Sequence, residues 1–354
     1  MTDLQKASAP AEAPLIQVTD LRRTFKVRGA TGRRLLHAVD GVSLTVGRSE
    51  TVAVVGESGS GKSTLGRLFL DLLTPSAGRV EYQGVDIAAM QRQQWRQYRR
   101  EVQVVFQDTG SSLNPRRTIG SSVMLPLRYN LGMGATAARK RAAELLDMVG
   151  LRSETFLDRS PLQLSGGQRQ RVAIARAMAS DPQFVVADEA VSALDVSVRS
   201  QVLQVMRDMQ RSKGVSFLFI THDLGVVRAV ADRVVVMYLG QVVEQGTADQ
   251  VLDTPGHPYT KALLTAAPRP DPSVRNEVRP RLTGEIPSPV SPPAGCRFHT
   301  RCPLATQICR EQPPPTVEFA DGLRSSCHFA HDVRAGVQPA PAGQVPPHPR
   351  SEHH

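Results

Sequence analysis

Apolar residues along this chain fall in short runs bounded by polar or glycine positions. Leu15 to Val18, Gly41 to Val46 and Thr51 to Val55 read as strands, with a turn cluster around Gly29 to Gly32 separating the first two. Lys62 to Leu73 carries an apolar stripe at helical spacing, and Arg92 to Arg100 reads as a polar, basic helix. From about 110 to 180 the pattern is mostly helical, broken at Pro115, Pro126, Gly132 and Pro161. Three apolar runs follow: Phe184 to Ala187, Ser216 to Ile220 and Arg233 to Leu239, with a helix from Ser197 to Ser212 between the first two. Strands apolar at every position suit a sheet covered on both faces. Their alternation with helices predicts a parallel α/β sheet, into which a helix-rich segment is inserted.

The composition changes after Pro255. Proline becomes frequent, Pro268 to Pro293 reads as an extended linker, and a cysteine-bearing segment follows. Residues 1–14, rich in Ala and Pro, and the Pro- and His-rich tail 336–354 are expected to be disordered. The expected division is therefore a main domain over 15–255, with its helical part at about 110–180, and an extension over 256–335. A chain of 354 residues has the length for a sizeable core. The net charge of +10 does not by itself point to nucleic acid, because the Arg residues are dispersed and no basic run interleaves with aromatics. No segment approaches the roughly 20 apolar residues that span a bilayer. Met1 to Pro14 has no apolar core, so it does not read as a secretory signal. A cytoplasmic protein that reaches a membrane through other chains is expected.

Candidate chemistry begins where the Thr51–Val55 run ends. Gly56, Glu57, Ser58, Gly59, Ser60, Gly61, Lys62 and Ser63 follow it directly, with Thr64 in the helix that starts there. Strand, glycine-rich loop, helix is the context of a phosphate-binding P-loop. Glycines let backbone N–H groups converge on phosphate oxygens, and the helix N-terminus adds partial positive charge. Lys62 would bridge the β- and γ-phosphates, and the Ser63 hydroxyl would ligate Mg²⁺. The second apolar run ends in Asp188 and Glu189: the first would reach the Mg²⁺ shell, leaving the second to orient or deprotonate a water. Leu164, Ser165, Gly166, Gly167 and Gln168 open another glycine-rich helix start, hence a second anion site. Two such elements and one γ-phosphate invite a head-to-tail dimer, in which each nucleotide lies between the P-loop of one subunit and this segment of the other.

With these residues in this order, the chain resembles the ATP-binding-cassette (ABC) ATPases. Leu164 to Gln168 looks like that family's signature motif. Gln107, after Val102 to Phe106, looks like the Q-loop glutamine that senses Mg²⁺ and the permease. Ser192 to Asp195 looks like the D-loop, His222 like the switch histidine facing the γ-phosphate, and Phe25 like the ring that stacks on adenine. The resemblance implies a P-loop NTPase fold of the ABC type. That fold has a RecA-like parallel core, an N-terminal antiparallel β subdomain and a helical subdomain, here with a small irregular Cys-containing extension. The segments Asp188 to Ser197, Met237 to Gly240, His257 to Thr260, Gly284 to Pro289 and Gly295 to Pro303 are similar to the peptide-importer branch, most of all its second, F-type ATPase. Membership there implies a homologous second ATPase, two permeases and an external binding protein, with the chain on the cytoplasmic face of the membrane. Dipeptide, oligopeptide, glutathione, nickel chelate and haem all remain open as solutes. A soluble cassette acting on nucleic acid or the ribosome is the alternative, but no long heptad insertion is present. Ala190 and Thr109 stand where the family often has Pro, which relaxes φ without removing a catalytic group.

The four cysteines, Cys296, Cys302, Cys309 and Cys327, all lie in the extension. Their spacing matches neither zinc-finger nor ferredoxin patterns. Four thiolates could hold a [4Fe–4S] cluster or tetrahedral Zn²⁺, with His299 and His328 close by, or remain unligated. The resemblance favours the cluster, because some peptide-importer ATPases carry one in this segment.

Overall fold

Strand β3 (Thr51–Val55) is buried at every position, and the reason is the sheet it sits in. The computed structural model describes residues 13–29, 32–107, 113–192, 194–266 and 284–336. Most of the two termini expected to be disordered, most of the proline linker, and the positions Asp108, Thr109 and Ala193 lie outside these described residues.

The chain opens with a hairpin, β1 (Ile16–Gly29) and β2 (Gly32–Val46), in which Gly29 faces Gly32. After β3 come α1 (Lys62–Phe69), β4 (Ala77–Tyr82), β5 (Val85–Asp86), α2 (Arg92–Glu101) and β6 (Val102–Val105). The helical part holds α3 (Ile119–Tyr129), α4 (Ala135–Met148), α5 (Ser153–Phe156) and α6 (Gly166–Met178). Then follow β7 (Phe184–Asp188), α7 (Val196–Lys213), β8 (Ser216–Ile220), α8 (Leu224–Val230), β9 (Arg233–Tyr238), β10 (Gln241–Thr247), α9 (Ala248–Asp253) and α10 (Pro258–Ala266). The C-terminal part contributes α11 (Gln307–Glu311), β11 (Thr316–Glu318), β12 (Arg324–Ser326) and α12 (Ala330–Arg334).

Among the described residues β2-β1-β4-β5 form an antiparallel sheet, and β11-β12-β10-β9-β3-β8-β7-β6 form a mixed one. Its β9-β3-β8-β7-β6 portion is parallel. Side chains alternate between two cores across this portion. Ala53, Val55, Val185, Ala187, Phe217, Phe219, Val234 and Val236 face one core. Val52, Val54, Phe184, Val186, Leu218, Ile220, Val235 and Met237 face the other. Each such Val, Leu, Ile or Phe contributes about 1.5–3 kcal/mol by leaving water, so polar residues are confined to the strand ends. That is where the chemistry sits.

Three elements differ from the sequence reading. The hairpin is far longer than Leu15 to Val18 plus Gly41 to Val46, because its outer half is only partly buried and interleaves Arg and Lys with Phe25, Val27, Leu35 and Leu36. Helix α1 stops at Phe69, not Leu73: Asp71 turns into the left-handed region (φ 51°), and Leu72 N–H closes the end on Arg67 O at 2.9 Å. The extension adds β11 and β12 to the edge of the main sheet through β10. Three-residue strands leave no readable alternation.

Candidate nucleotide site

The P-loop is shaped by close packing from below. Gly56, Gly59 and Gly61 have φ of 150°, 80° and 103°, a region that favours glycine. A Cβ on Gly56 would lie 2.2 Å from Met237 O, and one on Gly61 would lie 2.1 Å from Ala38 O. The loop is thus pressed between β9 and the hairpin, and it is tied there by Gly240 N–H donating to Ser60 O at 2.9 Å. Ser58 and Gly59 form its exposed crown, while Ser60 and Lys62 are buried. Lys62 Nζ donates to Gly56 O at 2.7 Å and to Glu57 O at 2.8 Å, turning the ammonium into the loop. Burial lowers its pKa, and the carboxylates of Glu189, Asp188 and Glu57 oppose that shift.

The acidic pair lies beside it. Ser63 Oγ donates to Asp188 Oδ1 at 3.0 Å, which joins the start of α1 to the end of β7. Burial raises the pKa of Asp188. Glu189 then leaves the strand in the left-handed region, φ 48°, a conformation costing about 1–3 kcal/mol outside glycine. Its N–H is held by Ile220 O at 2.9 Å. The turn aims its carboxylate between two partners. Gln107 Nε2 donates to Glu189 Oε2 at 2.6 Å, and His222 Nδ1 lies 3.1 Å from Glu189 Oε1. The structure therefore brings Gln107, Glu189 and His222, from three strand ends, onto one carboxylate next to Ser63 and Asp188. The His222 side chain is 65% exposed, so the cluster faces solvent.

Other candidates stand apart from this network. Ser165 caps α6: its Oγ accepts from Gln168 N–H, and Gln168 Oε1 accepts from Ser165 N–H at 3.0 Å. Leu164 is buried, whereas Ser165 and Gly166 are exposed. Asp195 caps α7, accepting from Val198 N–H at 2.9 Å. Just upstream, Ser192 Oγ donates to Glu189 O at 2.9 Å. Phe25 lies on β1, half-buried, with the Arg23 guanidinium 4.7 Å from its ring centre.

Sequence reasoning missed two residues of the extension that reach the P-loop. Arg301 forms a bidentate ion pair with Glu57, at 2.6 and 3.0 Å, and the Tyr259 hydroxyl accepts from Glu57 N–H at 2.8 Å. They lie 244 and 202 residues from Glu57; the sequence places both in segments that resemble the peptide-importer branch but gives them no role at the P-loop.

The four cysteines, which come from separate segments of the extension, line one small cavity with His257, Phe298, His299 and His328. Burial raises the thiol pKa of Cys296, and it pushes those of Cys302 and Cys327 up to about 12. An all-thiol donor set is the chemistry of an iron–sulfur or zinc site. Among the described residues, though, no three His, Cys, Asp or Glu side chains stand at the spacing that holds a metal ion.

The parallel core, the glycine loop and the acidic strand end define a P-loop NTPase, and comparison with known proteins narrows it to an ATP-binding cassette. The family described as ABC transporter matches residues 39–192, and the oligopeptide/dipeptide transporter C-terminal region matches residues 243–309. The dipeptide transport ATP-binding protein DppF of Haemophilus influenzae is 48% identical over 89% of this chain and 96% of its own length. DppF of Escherichia coli is 46% identical over 89% of this chain and 94% of its own length. The dimeric cassette MJ0796, solved in a post-hydrolysis state bound to ADP and Pi, superposes with a TM-score of 0.61. It is 32% identical and covers 66% of this chain and 98% of its own. The chain belongs to the ATP-binding subunits of dipeptide/oligopeptide ABC transporters. A subunit of this family hydrolyses ATP and works with permease and substrate-binding partners, and through them at a membrane. No described helix is long and apolar enough to cross one.

Proposed function

We propose that this chain is the energy-coupling ATPase of an importer for di- or oligopeptides, acting as one half of an ATPase pair beneath two permeases, on the cytoplasmic face. The observation that carries the catalytic reading is the Glu189 carboxylate, hydrogen-bonded by Gln107 and facing His222, beside Ser63 and Asp188. In this reading Gly56 to Thr64 cradle the phosphates. Lys62 leaves its carbonyl partners for the β- and γ-phosphates. Ser63, Asp188 and Gln107 would hold Mg²⁺, which when bound neutralises charge on the transferring phosphoryl group. Glu189 orients the attacking water and takes its proton, and His222 faces the γ-phosphate. Phe25 supports the adenine.

Leu164 to Gln168 act in trans. Leu164 anchors the segment in the core, while the exposed helix start at Ser165 and Gly166 would close over the nucleotide of a second, related ATPase, with Asp195 near the seam. The cassette over 15–255 supplies the engine and 256–335 an importer-specific extension. For the four cysteines, which line one cavity, we favour a [4Fe–4S] cluster over Zn²⁺ on the resemblance to peptide-importer ATPases, some of which carry one in this segment. Anaerobic purification followed by an absorption spectrum tests it: a broad band near the visible that bleaches on reduction supports the cluster, and a colourless, iron-free protein refutes it.

The function itself is tested by reconstituting the chain with its partner ATPase, permeases and binding protein in liposomes. Labelled dipeptide uptake that requires ATP and disappears with Glu189→Gln is the expected result. Robust hydrolysis without peptide uptake or peptide stimulation would overturn the substrate assignment.

A further inference from the structure

We propose that Arg301 and Tyr259 are positioning residues of the phosphate site, through which the C-terminal extension holds Glu57 and so sets the affinity of the P-loop for ATP. The inference rests on the P-loop being the phosphate site and goes beyond it by placing part of that site in the extension.

Glu57 is an awkward residue for an anion-binding loop. Its carboxylate sits beside peptide groups meant to receive phosphate, and unpaired it would repel the incoming nucleotide. Arg301 takes both of its oxygens, Nη1 on Oε2 at 2.6 Å and Nη2 on Oε1 at 3.0 Å. A two-pronged guanidinium–carboxylate pair fixes direction as well as charge. The Arg301 side chain is 4% exposed and that of Glu57 24%, so solvent and salt reach the pair mainly from the carboxylate side. On the main-chain side Tyr259 Oη accepts the Glu57 N–H at 2.8 Å, while Lys62 Nζ donates to the Glu57 carbonyl at 2.8 Å. Residue 57 is therefore held at its amide, its carbonyl and its side chain, and any shift there moves the loop lysine.

The holders are themselves rigid. Tyr259 is fully buried and packs with Tyr238 and Phe298, with ring centres 4.7 and 5.3 Å away. Phe298 and Arg301 belong to one tight turn, closed by Arg301 N–H donating to Phe298 O at 3.0 Å. A second ion pair, Arg297 with Asp40, anchors the same turn to the base of the hairpin. The extension thus braces the loop at Glu57, in addition to the packing of Gly56 and Gly61 against Met237 and Ala38.

Titration of the full chain with a fluorescent ATP analogue (mant-ATP) tests this. Arg301→Gln is expected to bind about tenfold more weakly, equivalent to about 1.4 kcal/mol. The double variant Glu57→Gln/Arg301→Gln, which also removes the uncompensated carboxylate, is expected to recover most of that loss. Binding equal to wild type by Arg301→Gln overturns the proposal, and so does a double variant as weak as the single one, since packing damage would not be rescued by a second neutral substitution. Should Arg301→Gln not fold by circular dichroism, Arg301→Lys and Tyr259→Phe carry the test. Each is expected to weaken binding about threefold, and wild-type affinity in both overturns the proposal. Lys62→Ala is the control: normal binding in that variant refutes the P-loop reading itself, whereas loss there with normal binding by Arg301→Gln refutes the brace alone.

Discussion

The chain has two glycine-rich helix starts, and the structure treats them in opposite ways. In the P-loop Gly56, Gly59 and Gly61 all take positive φ, and Gly56 and Gly61 are pressed against main-chain oxygens, so that no side chain fits at those two. In the Ser165–Gln168 segment Gly166 and Gly167 have entered an ordinary helix, and a Cβ on Gly166 would meet nothing within 4 Å. The first loop is sculpted by its own chain. The second is exposed, self-capped and finished, yet bare. An exposed helix start without side chains over it leaves its N–H groups open to an anion from outside, as the proposed site shared between two chains requires.

The largest expected effect separates chemistry from binding at the sculpted end. Glu189→Gln should lower ATP turnover by about 100-fold or more, measured with partners present, while mant-ATP affinity stays near that of the unaltered chain. Next, Gly61→Ala must push its methyl toward Ala38 O from a left-handed backbone, and should cost about 1–3 kcal/mol in thermal unfolding along with most nucleotide affinity. At the bare end Ser165→Ala loses the cap on α6 and should cost about 1 kcal/mol, read from the denaturation midpoint. The smallest effect on stability belongs to Gly166→Ala, which should leave the fold unchanged or firmer by up to about 1 kcal/mol. Its ATPase activity in the paired enzyme should still fall, since the methyl meets the partner's nucleotide. A Gly166→Ala chain that lost stability as Gly61→Ala does would erase the contrast.

Much of this contrast was legible in the sequence. The strands β3, β7, β8 and β9 announce themselves because burial on both faces demands apolar residues along them, and Gly56 to Ser63, Asp188, Glu189 and His222 sit at the ends of such strands, with Gln107 just past the neighbouring β6. Their convergence on one carboxylate follows from parallel strands presenting their C-terminal ends to one side. What stayed hidden is long-range or patternless. The outer hairpin carries Arg28, Arg33 and Arg34 where a strand pattern would show apolar residues. Strands β11 and β12 are too short to show a period. The contacts of Arg301 and Tyr259 with Glu57 join residues that no local rule relates, and the four cysteines advertise thiol chemistry without stating what they hold.

In the proposed function ATP closes two chains around a site that neither completes alone. Sedimentation velocity of the Glu189→Gln chain with its paired ATPase tests it most directly. With saturating ATP the expected result is a stable pair that falls apart on exchange into ADP, and that does not form with Lys62→Ala. A mixture that binds ATP fully yet sediments as separate subunits would contradict it.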